Sequence, residues 1–183
     1  MLVIEVPDRK LWDEKNLVFI QSKAATLQLE HSLLSLQKWE AIYNKPFLSK
    51  EAKSLEETKT YVKCMTINKN VPSEVYDALT PAEYKMIDEY INASKSAAFF
   101  NEEEDPRRKY SSEQITADLI YYWMISLNIP FECKTWHLDQ LFKLIKVCNI
   151  KNSPPKKHSM NELYARNNAL NAKRKAKARS RRR

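Results

Sequence analysis

Glycine is absent from all 183 residues. At average usage of about 7%, roughly 13 would be expected. Glycine supplies left-handed turns, helix C-caps and close backbone approach to phosphate. Its absence excludes the Gly-rich phosphate loops of kinases, P-loop NTPases and dinucleotide folds. Tight two-residue hairpins then need Asn or Asp, and helix ends need Asn. Asn44, Asn68, Asn92, Asn128 and Asn152 are placed to stop helices. Cysteine is sparse and odd in number, at Cys64, Cys133 and Cys148. That usage fits a reduced intracellular chain better than a disulfide framework. No apolar run reaches the ~18 residues of a membrane span. The opening "MLVIEVPDRK" has no basic segment followed by a long apolar stretch, so no signal peptide and no membrane association are expected.

Acid is also missing from one region. Residues 151–183 hold 12 of the 31 Lys and Arg and a single acid, Glu162, for a net +11, while residues 1–150 carry a net −3. The overall +8 therefore describes a basic arm on a mildly acidic body.

The residues present predict an α+β fold, mostly α. Branched apolar residues alternate in "LVIEV" at 2–6, "LVFIQS" at 17–22 and "TLQLEH" at 26–31, with "DEKN" turning the chain between the first two. A small N-terminal antiparallel sheet or hairpin over 2–31 follows. Residues 32–150 read as helical. Ser32 caps a helix bearing Leu33, Leu36, Trp39 and Tyr43, which Pro46 ends. Ser54 with Glu57, and Thr80 with Glu83, form capping boxes, the second with Pro81 at the first helical position. They open helices bearing Tyr61, Val62 and Met65, and Met86, Ile87, Tyr90 and Ile91. "NEEEDPRRKYSS" at 101–112 reads as a solvated loop. Ser111 or Ser112 then caps a helix that is apolar or aromatic from Leu119 to Ile125. Such a helix belongs at the centre of a core, and Trp123 and Trp136 are expected there. Thr135 is the expected cap of the next helix, with Leu138, Leu141, Phe142, Ile145 and Cys148 along one face. Pro154 and Pro155 mark a linker over 151–159, followed by a basic helical arm at 160–183 opened by Ser159 and Glu162. The arm's only sizeable apolar residues are Leu163, Tyr164 and Leu170, too few to drive its folding. Residues 1–150 are expected to form one domain.

The chemistry-bearing residues do not assemble into a catalytic pattern. Cys133, His137, Cys148 and His158 follow C-x3-H-x10-C-x9-H, without the tight C-x2-C pair of structural zinc sites. Cys133 and His137 lack a visible third group to orient a thiolate pair. The acids of "EEED" at 102–105 are neutralised by "PRRK", so a solvated charge run is the simpler reading. No metal, cofactor or catalytic residue is expected. The strongest signal is Lys173, Arg174, Lys175, Lys177, Arg179, Arg181, Arg182 and Arg183: eight cations in eleven residues. That density suits polyanion or partner contact through counterion release.

"ADLIYYWMISLNIPFECKTWHLDQLFKLIKVCNIKNSPPKK" and "RNNALNAKRKAK", with the earlier "TLQLEHSLLSLQKWEAIYNKPFLS" and "YVKCMTIN", resemble the tail assembly chaperones of long-tailed bacteriophages. The resemblance implies a non-enzymatic protein of the host cytoplasm, absent from the mature virion. Such proteins bind the tape measure protein and keep it soluble while the tail tube assembles around it. It also implies self-association or a longer form made by translational frameshifting. The alternative is a nucleic-acid-binding accessory protein working through the basic arm.

Overall fold

The computed structural model describes residues 1–13, 17–98, 114–152 and 160–180. The protein is α+β and mostly helical, with a small N-terminal antiparallel sheet. The chain forms two compact units, Met1–Asn149 and Ile150–Arg183.

Among the described residues four strands build two nested pairs. β1 (Leu2–Val6) runs antiparallel to β4 (Ala25–Leu29), with Ile4 opposite Leu27. Ile4, Val6, Leu27 and Leu29 are buried while Val3 and Glu5 are exposed, the period-2 pattern of a half-buried strand. β2 (Arg9–Asp13) pairs with β3 (Val18–Ser22). The 17–22 expectation thus holds from Val18, but β2 is an addition: "RKLWD" is too polar to stand out as a strand. Pro7 has no N–H to give a ladder, and the two pairs part beside it. Asp8 accepts the Ala24 N–H at the break. Residues 14–16 of the expected turn lie outside the described ones. Leu17 beside them has φ 54°, a left-handed position filled without glycine.

α1 (Leu33–Tyr43) is the central helix. Leu33 and Leu36 are fully buried, Trp39 nearly so, and the helix packs on three other elements. Ser32 caps it with Ser35 completing the reciprocal pair, and Asn44 closes it at φ 52°. α2 (Leu55–Met65) and α4 (Pro81–Asn92) begin at the predicted capping boxes. On α4, Ile87 and Tyr90 are buried, but Met86 is exposed and does not belong to the buried stripe. A one-turn α3 (Ser73–Asp77) lies between them.

α5 (Ala117–Ser126) starts later than expected. Its cap is Thr116, whose hydroxyl accepts the Leu119 N–H; residues 114–116 are not helical, so neither Ser111 nor Ser112 opens it. Glu40 of α1 ties this start down by accepting the Ala117 N–H at 2.8 Å. Nor is α5 central. It buries only Ala117, Ile120 and Met124. Asn128 after it takes φ 52°. A 3-10 helix, Phe131–Thr135, leads to α6 (Leu138–Asn152). Thr135 lies inside the 3-10 helix and donates to Glu132 O, so it is not the cap. His137 does that work: its Nδ1 accepts the Asp139 N–H at 3.3 Å. α7 (Met160–Ser180) is the arm helix. Residues 101–112, the Pro154–Pro155 linker and the Ser159–Glu162 box expectation fall wholly or mainly outside the described residues.

Candidate partner-binding surface

The run Leu119–Ile125 is apolar or aromatic throughout, yet α5 has only one inward face. Ile120 and Met124 point into the core, Tyr121 and Trp123 pack at its edge, and Tyr122 and Ile125 face outward at 63% and 61% exposure. Tyr121 is anchored by donating to Gln37 of α1 at 3.0 Å. That bond orients the helix so that positions 118, 122 and 125, one turn apart, share the open side, where Asp118 stands beside Tyr122 and Ile125. Phe131 on the following 3-10 helix is also exposed, and its ring lies 6.4 Å from Tyr121. The expected core placement therefore fails for Trp136, which is 44% exposed, and is only partial for Trp123. The aromatic cluster Tyr121, Tyr122, Trp123 and Trp136 divides between core edge and surface.

A second apolar face lies on the β2–β3 pair. Trp12 stands opposite Phe19 in the ladder and meets it edge to face at 4.9 Å, with both rings half or more exposed. The reverse face anchors the pair. The Arg9 guanidinium donates to both Glu83 oxygens at 2.8 and 2.9 Å and to the Ala78 carbonyl. The Arg9 hydrogen bond, with help from Thr80, holds the Glu83 carboxyl down at about 2 despite its burial.

The remaining polar chemistry is directed inward. His31 and His137 are both buried, ring to ring at 5.3 Å. His31 Nδ1 meets the Tyr61 hydroxyl at 2.6 Å. His137 places Nε2 3.2 Å from Tyr90 O while Nδ1 accepts the Asp139 N–H at the start of α6. His31 O accepts the Leu138 N–H, completing a joint between β4 and α6. Burial, with His137 alongside, pushes His31 down to about 4, opposed by Glu30. The Cys133 thiol is buried and pushed up by that burial, the reverse of an activated thiolate. Among the described residues no group of three His, Cys, Asp or Glu could hold a metal ion. His158 and the 102–105 carboxylates lie outside them.

Depressions of the described surface include two whose cations are already paired. One of about 250 Å3 is lined by Leu55, Tyr76, Leu79 and Tyr84; its Lys59 is spent on Asp77 and Glu56. The other, about 390 Å3, lies between residues 95–98 and α6, where Lys143 is spent on Asp139 and the backbone at Ser96. Of the predicted contact cations, Lys173, Arg174, Lys175 and Lys177 are exposed on α7. Arg179 falls within the α7 span, and Arg181, Arg182 and Arg183 lie outside the described residues. No helix of the described residues is long and apolar enough to cross a membrane. Comparison with known proteins, by family model, by sequence and by fold, finds no match.

The α5 face is not legible in the sequence, because an all-apolar run does not show whether its own chain or another covers it. The anchors that fix that face, Glu40 on Ala117 and Gln37 on Tyr121, span 77 and 84 residues. No local pattern carries them.

Proposed function

We propose that this protein is a non-enzymatic tail assembly chaperone of the long-tailed phage type. It binds the tape measure protein in the host cytoplasm, keeps it soluble while tail tube subunits polymerise, and is left out of the mature virion. The observation that carries this reading is the outer face of α5, where Tyr122 and Ile125 stand exposed on a helix anchored at its start by Glu40 and at its middle by Gln37. A rigid helix presenting aromatic and branched side chains suits an amphipathic partner helix, whose buried anchors carry most of the affinity. Both side chains leave apolar area for such a partner to cover. The resemblance of the 117–157 and 26–49 stretches to the chaperone family supplies the partner.

The test is affinity capture of the tape measure protein by full-length chain and by the Tyr122→Ser/Ile125→Ser variant. Wild type is expected to hold a specific complex that persists at high salt, as apolar contact does. The variant should weaken it at least ~10-fold, since losing about 1.4 kcal/mol is already tenfold. Its thermal midpoint should stay close to wild type, because both side chains are exposed. Undiminished capture by the variant would move the interface elsewhere, and no capture by wild type would end the proposal.

A further inference from the structure

We propose that α7 binds the phosphodiester backbone of nucleic acid, without regard to sequence, through Lys173, Arg174, Lys175 and Lys177. This activity is separate from the α5 surface and stands or falls independently of it.

These four cations occupy five consecutive helical residues and are exposed. Five residues of α-helix extend about 6–7.5 Å, so α7 carries close to one positive charge per about 2 Å. Duplex DNA carries one negative charge per about 1.7 Å of its axis. The residues lie around the helix as well as along it: Lys173 and Lys177 share one side, Arg174 is a quarter-turn away and Lys175 is opposite. That arrangement can meet phosphates on both walls of a groove, or a single strand curling about the helix.

What α7 lacks decides the class of partner. A helix seated in a protein groove needs apolar anchors at i, i+3 or i+4 and i+7. From Asn171 to Ser180 the only apolar residues are Ala172, Ala176 and Ala178. Tyr164 and Leu170, further back, are exposed. A surface with dense charge and no apolar anchor gains affinity by releasing condensed counterions, which a polyphosphate supplies and a folded protein does not. Residues 1–150 are net negative, so the excess positive charge of the chain lies in the arm. Asn167, Asn168 and Asn171 add exposed amides that can donate to phosphate oxygens. Cations near the C-terminal end also suit the helix dipole, so phosphate contact does not conflict with the helical state.

The experiment titrates full-length protein with a mixed-sequence 20-base-pair DNA duplex and a 20-nucleotide single-stranded RNA at 50–200 mM salt. Four phosphate contacts predict a slope of about −3.6 in log K against log salt for the duplex and about −2.8 for the single strand. Duplex affinity should therefore fall roughly 100-fold over that range. Replacing Lys173, Arg174, Lys175 and Lys177 together with Gln, which keeps good helix propensity, should flatten both slopes and weaken binding at 50 mM. A preference for duplex or for RNA names the source, with the backbone contact common to both. Salt-independent binding by wild type, or unchanged slopes in the Gln variant, would overturn the proposal. So would displacement of the duplex by poly-glutamate at equal charge concentration, which would assign the arm to an acidic protein instead.

Discussion

His31, packed against His137, shows how a single residue contributes to this protein's response to pH. The groups facing them come from four elements: Tyr61 from α2, Tyr90 from α4, Asp139 from α6, and Glu30 at the end of β4. Glu30 is itself occupied by the Tyr90 hydroxyl and the N-terminal ammonium, both at 2.7 Å. Folding lowers His31 from 6.5 to about 4. The unfolded chain therefore binds the proton more readily in that window, and stability falls as pH drops from 6.5 towards 4. Full protonation would cost up to about 3 kcal/mol. Denaturant unfolding at pH 7 and at pH 4.5 should show this loss. His31→Gln should be less stable at pH 7 but show a clearly shallower decline with acid. An unchanged pH slope would assign the effect to other groups. Tryptophans offer a second residue-level contrast. Trp39 is 2% exposed and donates to Glu57 O, whereas Trp136 is 44% exposed. Trp39→Ala is expected to cost ~3–5 kcal/mol, and Trp136→Ala less than about 1 kcal/mol. Equal costs in equilibrium unfolding would contradict the placement of Trp136.

At the scale of elements, much depended on how local the determining interaction is. The helix starts at Ser54 and Thr80 were legible because a capping box closes within four residues. Asn44 and Asn128 were legible as stops because, without glycine, Asn is the residue that takes the left-handed position most easily. Asn68 does not stop a helix: it acts as an adapter, accepting the Gln28 N–H and donating to Thr26 O, both at 2.7 Å, beside β4. The left-handed turn falls at Asn70 instead. His137 as a cap was invisible because an imidazole acceptor carries no sequence signature, whereas the hydroxyl of Thr135 does. β2 has no local signature, because Arg9 and Lys10 look like loop residues and the group that receives Arg9 is Glu83, 74 positions on. That contact gives a prediction. Hydrogen bonds to a charged group are worth about 1.5–3 kcal/mol, and Arg9→Ala also strands the Glu83 carboxylate. Amide exchange should accelerate in Arg9–Asp13 and Val18–Ser22 while β1 and β4 stay protected. Unchanged exchange in β2 and β3 would mean that the apolar contacts of Leu11 and Ile20 alone hold the pair.

The whole molecule divides by charge as well as by compactness. The unit Ile150–Arg183 carries the net +11 and Met1–Asn149 the net −3. That division was legible from composition, since acid and base simply fall in different stretches. The distribution of apolar surface was not, because it depends on how far α1 displaces α5 from the centre. The functional account rests on that displacement. On the proposed reading the client is met by side chains fixed in place, and the outer face of α5 holds Tyr122 and Ile125 exposed beside Asp118. The most direct test is the soluble fraction of the tape measure protein when co-expressed with this chain, with the Tyr122→Ser/Ile125→Ser variant, or alone. The account predicts that wild type raises the soluble fraction several-fold and co-purifies with it, and that the variant, though folded, does neither. A tape measure protein as insoluble with wild type as without it would contradict the account.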